Sequence, residues 1–254
     1  MKLLDFCEKM EAIAPKTLAL DFDNVGLLIG PDHTEIRKVL VALDLTVPVA
    51  QEAIEGRYDL VLTHHPIFWD PLRHISPTEH DTAAAYLLMR NGIGHFAAHT
   101  NFDACAGGVN DTLADLFGLI DVRYLPPENL GRIGTLKTPM PFSEFTAVCE
   151  TVLHTRGKFI GDPDRMIQSV ALIGGNGGGD VSYVHESGCE AFVTGEMKHN
   201  QALQAEYLGL NCCVMGHYET EFPAMKSLIS RLQNGKNDVK YNLAHSGSAP
   251  LRSR

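Results

Sequence analysis

Short apolar runs alternate along the chain with amphipathic stretches, the pattern of strands and helices that follow one another in an α/β protein. Runs at 38–44 (KVLVALD), 58–63 (YDLVLT), 93–98 (IGHFAA), 133–137, 169–173 (SVALI), 190–194 (EAFVT) and 210–215 (LNCCVM) predict strands. Several are apolar without alternation, as expected of strands covered on both faces. Helical patterns fall near 47–56, 79–91, 109–118, 142–155, 179–187, 199–208 and 221–233. The opening MKLLDFCEKMEAIAP sets acids within an apolar periodicity and predicts an amphipathic helix rather than a cleaved leader. The turn-rich segment 123–131 (RYLPPENLG) is the expected linker between two lobes, 1–125 and 126–254.

These lobes run through the same order of elements. In the first, a helix leads to YDLVLT and two histidines, and a further helix leads to IGHFAA and His99-x-x-x-Asp103. In the second, a helix leads to EAFVT-Gly-Glu, and a further helix leads to LNCCVM and His217-x-x-x-Glu221. The match points to an internal duplication: two similar, interlinked α/β lobes with mixed, largely parallel sheets.

Candidate chemistry gathers where the predicted strands end. His64 and His65 directly follow a strand, and Pro66 stops it from continuing. Imidazoles in such a place are costly to bury unless their nitrogens find partners. A bare His-His pair is more often a solvated loop, but His99 with Asp103 and His217 with Glu221 occupy equivalent places after other strands. Ligands collect at the carboxyl ends of parallel strands, so one site between the lobes is expected to receive all three groups. Imidazoles with carboxylates suit Zn, Mn, Fe, Co or Ni. More ligands are available than one tetrahedral ion needs, and a shared carboxylate can bridge two ions. The Gly-rich segment 174–180 (GGNGGGD) lacks the Lys-Ser/Thr of a phosphate-binding loop and reads better as a tight turn than as a phosphate cradle. Phe68 and Trp69 either line a pocket for a flat ring or simply pack.

Composition narrows the partners. The formal net charge is −10, from 31 acids against 21 scattered bases, which argues against binding a nucleic-acid polymer. No apolar window is long enough for a membrane helix. The six cysteines form no Cys-x-x-Cys pair and lie mostly in apolar runs, so they read as reduced core thiols of a cytoplasmic protein.

His-His-Pro after a strand, His-x-x-x-Asp, GGNGGGD, EAFVTGEMKH and GHYETE, in that order, resemble the NIF-three-like proteins, also called GTP cyclohydrolase 1 type 2 homologues. The opening 21–30 (DFDNVGLLIG) fits as well, and the likeness covers about 20–235. The resemblance implies two divalent metal ions held by His64, His65, Asp103, His217 and Glu221, with Glu221 bridging. It implies a homohexameric ring and a metal-dependent hydrolase acting on a nucleotide, GTP by the family label, or on another small molecule. A different class, a non-catalytic metal-binding or regulatory module, stays open beside it. His99 reads as an outer group orienting a ligand, as a proton donor, or as a plain buried histidine. Glu196 and His199 occupy the place of His64 and His65 in the second lobe, and the resemblance sets them near the metals, to orient ligands or to serve as acid–base groups. The tail YNLAHSGSAPLRSR departs from the family's hydrophobic-acidic ending and puts a last strand in doubt.

Overall fold

The computed structural model describes residues 1–234 and 238–251, and the chain divides into two compact units. Elements are numbered in chain order.

The first unit comprises Met1–Cys105 and Met225–Ser248. Helix α1 (Leu3–Ile13) precedes β1 (Gly26–Ile29), β2 (Lys38–Ala42), α2 (Val47–Glu55), β3 (Leu60–Thr63), α3 (His80–Arg90), β4 (Gly94–Ala97) and the short α4 (Thr100–Ala104). The strand β11 (Lys240–Leu243) also belongs here, and the sheet order is β1-β4-β3-β2-β11. Strands β2, β3, β4 and β11 run parallel, and β1 lies antiparallel beside β4. Each of β3 and β4 is buried throughout. Helix α2 begins where Thr46 Oγ1 accepts from Val49 N at 3.3 Å, with a proline in the first turn, where no donor is lost. Its Val49, Ala50 and Ala53 pack on Leu40, Ala42 and Val61 of the sheet. The expected doubt over a last strand is removed: Tyr241 and Ala244 are buried and β11 pairs in register with β2.

The second unit comprises Ala106–Ala224 and 249–254, of which the last three residues lie outside the described ones. It holds α5 (Val109–Leu116), β5 (Ile120–Tyr124), β6 (Arg132–Pro141), α6 (Phe142–Leu153), β7 (Lys158–Ile160) and β8 (Met166–Ile173). A 3₁₀ turn (Gly178–Asp180), α7 (Val181–Glu186), β9 (Ala191–Thr194), α8 (His199–Tyr207), β10 (Asn211–Val214) and the first turns of α9 (His217–Gln233) follow. The sheet order is β5-β6-β8-β9-β10-β7, with β8, β9 and β10 parallel. Successive residues of β8 serve opposite faces. Val170 and Leu172 join Phe142, Phe145 and Met215, whereas Ala171 and Ile173 join Val181, Val184 and Phe192.

The division differs from the expected lobes 1–125 and 126–254. Segment 123–131 is no linker, because β5 and β6 on either side of it pair antiparallel in one sheet. The contact boundary lies earlier, at Cys105/Ala106, and the chain's later part supplies β11 to the first sheet.

The seven predicted strands and the predicted helices are all present, within a few residues. The order α1-β1-β2-α2-β3-α3-β4-α4 is matched by α6-β7-β8-α7-β9-α8-β10-α9, and β7 lies antiparallel beside β10 as β1 does beside β4. Among the described residues no helix is long and apolar enough to cross a membrane. The six cysteines are all thiols outside any disulfide, five of them buried.

Candidate metal centre

In the first unit, β3 ends at Thr63 and delivers His64 and His65 to the sheet's carboxyl edge. His64 is 1% exposed, and its Nδ1 donates to Ala98 O at 2.9 Å. A carbonyl accepts only from a protonated nitrogen, so this contact places a proton on Nδ1 and turns Nε2 the other way. That Nε2 faces Asp103 Oδ1 at 3.5 Å. A lone pair set against a carboxylate oxygen is repulsive unless a cation or proton joins them, and a divalent ion fits this pair.

His65 Nδ1 donates to Asp44 Oδ1 at 2.7 Å, and its ring is tilted against the Trp69 indole. His99 precedes α4 and its carbonyl accepts from Asp103 N at 2.9 Å, which sets the two side chains one helical turn apart. His99 Nδ1 lies 3.0 Å from Asp23 Oδ1. Asp23 also accepts from Thr100 N at 2.9 Å and from Thr100 Oγ1. Burial alone would raise Asp23, but its bonds with His99 and Thr100 outweigh that and hold it down to about 2. His64, His65 and His99 each offer a ligand nitrogen, and the three lie within 4.8 Å of one another.

Beneath them, His95 on β4 is fully buried. Thr63 Oγ1 donates to His65 O at 2.6 Å and therefore accepts from His95 Nε2 at 2.8 Å. Burial pushes His95 down to about 3 and keeps it a neutral strut under the His65 backbone.

In the second unit, β10 ends before Gly216, and His217 opens α9. His217 Nε2 lies 3.1 Å from Glu221 Oε2, one turn on, and Nδ1 lies 3.3 Å from Glu196 Oε1. Standing between two carboxylates, the ring suits an imidazolium or a neutral imidazole that shares a cation with one of them. Glu221 is 3% exposed and is crowded by backbone. A Cβ on Gly175, whose φ is +60°, would fall on Glu221 Oε1 and reach His217 Nε2 at 3.1 Å. Three of the loop amides are already spent: Gly174 N donates to Asn110 Oδ1 (2.8 Å), Gly175 N to Thr220 Oγ1 (3.0 Å) and Gly177 N to Thr194 Oγ1 (2.9 Å). GGNGGGD is therefore a turn that makes room for a carboxylate, not a phosphate cradle. Glu196 is half-exposed after β9, and His199 is exposed at the first residue of α8.

The Duf34/NIF3 (NGG1p interacting factor 3) family description matches residues 1–249. The chain belongs to this family. Among NIF3-family relatives, a "GTP cyclohydrolase 1 type 2 homolog" of Clostridium perfringens is 30% identical over 99% of both chains. One from Methanocaldococcus jannaschii is 33% identical over 89% of this chain and 92% of its own. The structure of the Staphylococcus aureus hypothetical protein SA1388 superposes with a TM-score of 0.93 at 26% identity, covering 100% and 99%. "Reduced HcgD" of Methanocaldococcus jannaschii gives 0.86 at 31%, covering 96% and 97%.

The sequence therefore gathers His64, His65, His99 and Asp103 in one unit of this NIF3-family chain and Glu196, His217 and Glu221 in the other. It did not mark Asp23, Asp44, His95 or Gly175. Asp44 was within reach, since a carboxylate closing the buried run KVLVALD stands at the same sheet edge as the histidines.

Proposed function

We propose that the chain is a metal-dependent hydrolase in which His64, His65, Asp103, His217 and Glu221 hold two divalent ions, Glu221 bridging. The observation that carries this reading is His64. Its Nδ1 is taken up by Ala98 O, so its buried Nε2 faces the Asp103 carboxylate at 3.5 Å, a nitrogen–oxygen pair that a shared cation would join. When bound, such ions lower the pKa of a coordinated water toward about 7 and polarise the bond under attack. The chain's own residues do the rest. Asp44 orients His65, Glu196 Oε1 stands where it can hold a proton next to His217 Nδ1, and Trp69 offers a half-exposed indole beside His65. The names of the relatives support a nucleotide substrate, with GTP the first to test.

A second reading, a metal-binding or regulatory module without turnover, is favoured by burial. His64, Asp103 and Glu221 are 1%, 7% and 3% exposed, as suits ions closed over by protein. Metal-reconstituted protein incubated with GTP, phosphoesters and cyclic amides separates the two. The hydrolase is expected to release product and to lose that activity in His64→Ala. Two tightly held ions with no product from any of these compounds would leave the second reading. The same protein is proposed to be cytoplasmic and to assemble as a homohexamer. Light scattering is expected near six times 27.8 kDa, and a value near the single-chain mass would refute it.

A further inference from the structure

We propose that Cys149, Cys213 and Met215 form a separate, all-sulfur site in the core of the second unit, which takes a soft monovalent cation, Cu⁺. The inference rests on no property of the metal centre described above.

Cys149 stands on α6 and Cys213 on β10, and Met215 directly follows β10. All three belong to one core cluster and are at most 1% exposed. Cys213 Sγ lies 3.0 Å from Met215 Sδ. That is closer than the roughly 3.5–4.0 Å at which even carbon atoms settle. Cys149 lies against the same thiol. Burial first, and then Cys213, raise its pKa well above the ordinary thiol range, so its proton stays until a cation displaces it. The neighbouring Cys212 points to the other face of the sheet, among Val181 and Phe192, and takes no part.

The sulfurs belong to this unit and not to the repeated fold. Cys213 and Val214 pair with Val193 and Thr194 as Phe96 and Ala97 pair with Leu62 and Thr63, so Phe96 and Ala98 hold the matching places. Gly157, half-buried between α6 and β7, lies over the thioether: a Cβ there would come within 2.5 Å of Met215 Sδ. With no side chain at that position, the sulfur is covered by bare backbone, which gives an ion a way in.

Two thiolates and a thioether are soft ligands and select Cu⁺ over the harder ions that imidazoles and carboxylates hold. Structural Zn²⁺ takes four ligands. Glu150, next to Cys149 in the chain, is already spent on Gly157 N at 3.1 Å and Arg156 at 3.0 Å. On binding, two S–H bonds break, two thiolate–copper bonds and one thioether–copper bond form, and two protons leave to solvent. No atom changes oxidation state.

The test titrates the full, reduced chain with Cu⁺ under anaerobic conditions, against the chelator bicinchoninate and with Zn²⁺ present to occupy histidines and carboxylates. Wild type is expected to take one Cu⁺ per chain from the chelator, to gain thiolate-to-copper absorption in the near ultraviolet, and to release two protons per ion. Cys149→Ser and Cys213→Ser should each lose that uptake, with alanine used where a buried hydroxyl costs the fold. Met215→Leu keeps the volume and both thiols, and should let the chelator take the ion back. Gly157→Ala should slow uptake, whereas Cys105→Ala and Cys212→Ala should bind as wild type does. A wild type that takes no Cu⁺ from the chelator would overturn the inference. So would uptake unchanged in both Cys149→Ser and Cys213→Ser, or lost equally in Cys212→Ala.

Discussion

In the first unit β3 ends in Thr63 and carries two imidazoles beyond it; in the second, β9 ends at the matching Thr194 and carries a glycine and a glutamate. The register extends the comparison. His95 is paired with Val61, and the equivalent place beside Phe192 is held by Cys212. The first unit thus holds its paired imidazoles by polar support, with Ala98 O behind His64, Asp44 behind His65 and a neutral His95 beneath. The second holds His217 and Glu221 by space, with Gly175 at positive φ letting backbone and carboxylate meet closely. The same arrangement of parallel strands can present ligands either through partners that orient them or through the removal of atoms that would block them.

The largest effect expected on that contrast is from Glu221→Gln. A neutral amide lacks the charge and the two equivalent oxygens of a bridge, so elemental analysis after dialysis should find both ions depleted. Two ions per chain retained would refute the bridge. His95 should give the next largest effect. Its folded value near 3 lies below the unfolded value of about 6.5, so between these the unfolded chain binds a proton that the native chain does not. Stability is therefore fully present at neutral pH and lost as pH falls through that window, by roughly 4 kcal/mol. Denaturant melts from pH 7 to 4 should show the slope in wild type and a shallower one in His95→Gln.

Gly175→Ala strains a positive φ and displaces the Glu221 carboxylate, so a loss of about 1–2 kcal/mol is expected together with weaker metal retention. Unchanged metal content would show that the glycine matters only to the turn. The smallest effect belongs to Asp180, in the second unit, and has the opposite sign to that of His95. Burial, then the nearby Glu128, push its carboxyl up to about 6. From about pH 4 to 6 the native chain holds a proton that the unfolded chain lacks, so this residue's contribution falls as pH rises. Asp180→Asn should raise the melting temperature slightly at pH 7 and leave it unchanged near pH 4.

The sequence made the central strands legible because parallel strands buried on both faces read as unbroken apolar runs, as in LVLT and AFVT. Edge elements were not legible. The strands β1, β5, β7 and β11 are short and partly exposed, too brief for an apolar period to emerge. The histidines and their one-turn carboxylates stood out by type and spacing. Asp23 did not, because it lies in an irregular segment and meets His99 only through tertiary structure, across 76 positions of the chain. Gly175 was visible as part of a glycine run, but its reason, the oxygen of Glu221, is a fact of three dimensions.

The pairing of β11 with β2 also governs the order in which the protein can be made. Lys240 meets Lys38 across some two hundred intervening residues, so the first sheet stays one strand short until synthesis has passed Leu243. The second unit draws its strands from the continuous stretch between Ala106 and Ala224 and can close earlier. During synthesis, then, the part of the chain begun first is the part finished last, and its open β2 edge is the nascent protein's exposed liability until the final strand arrives.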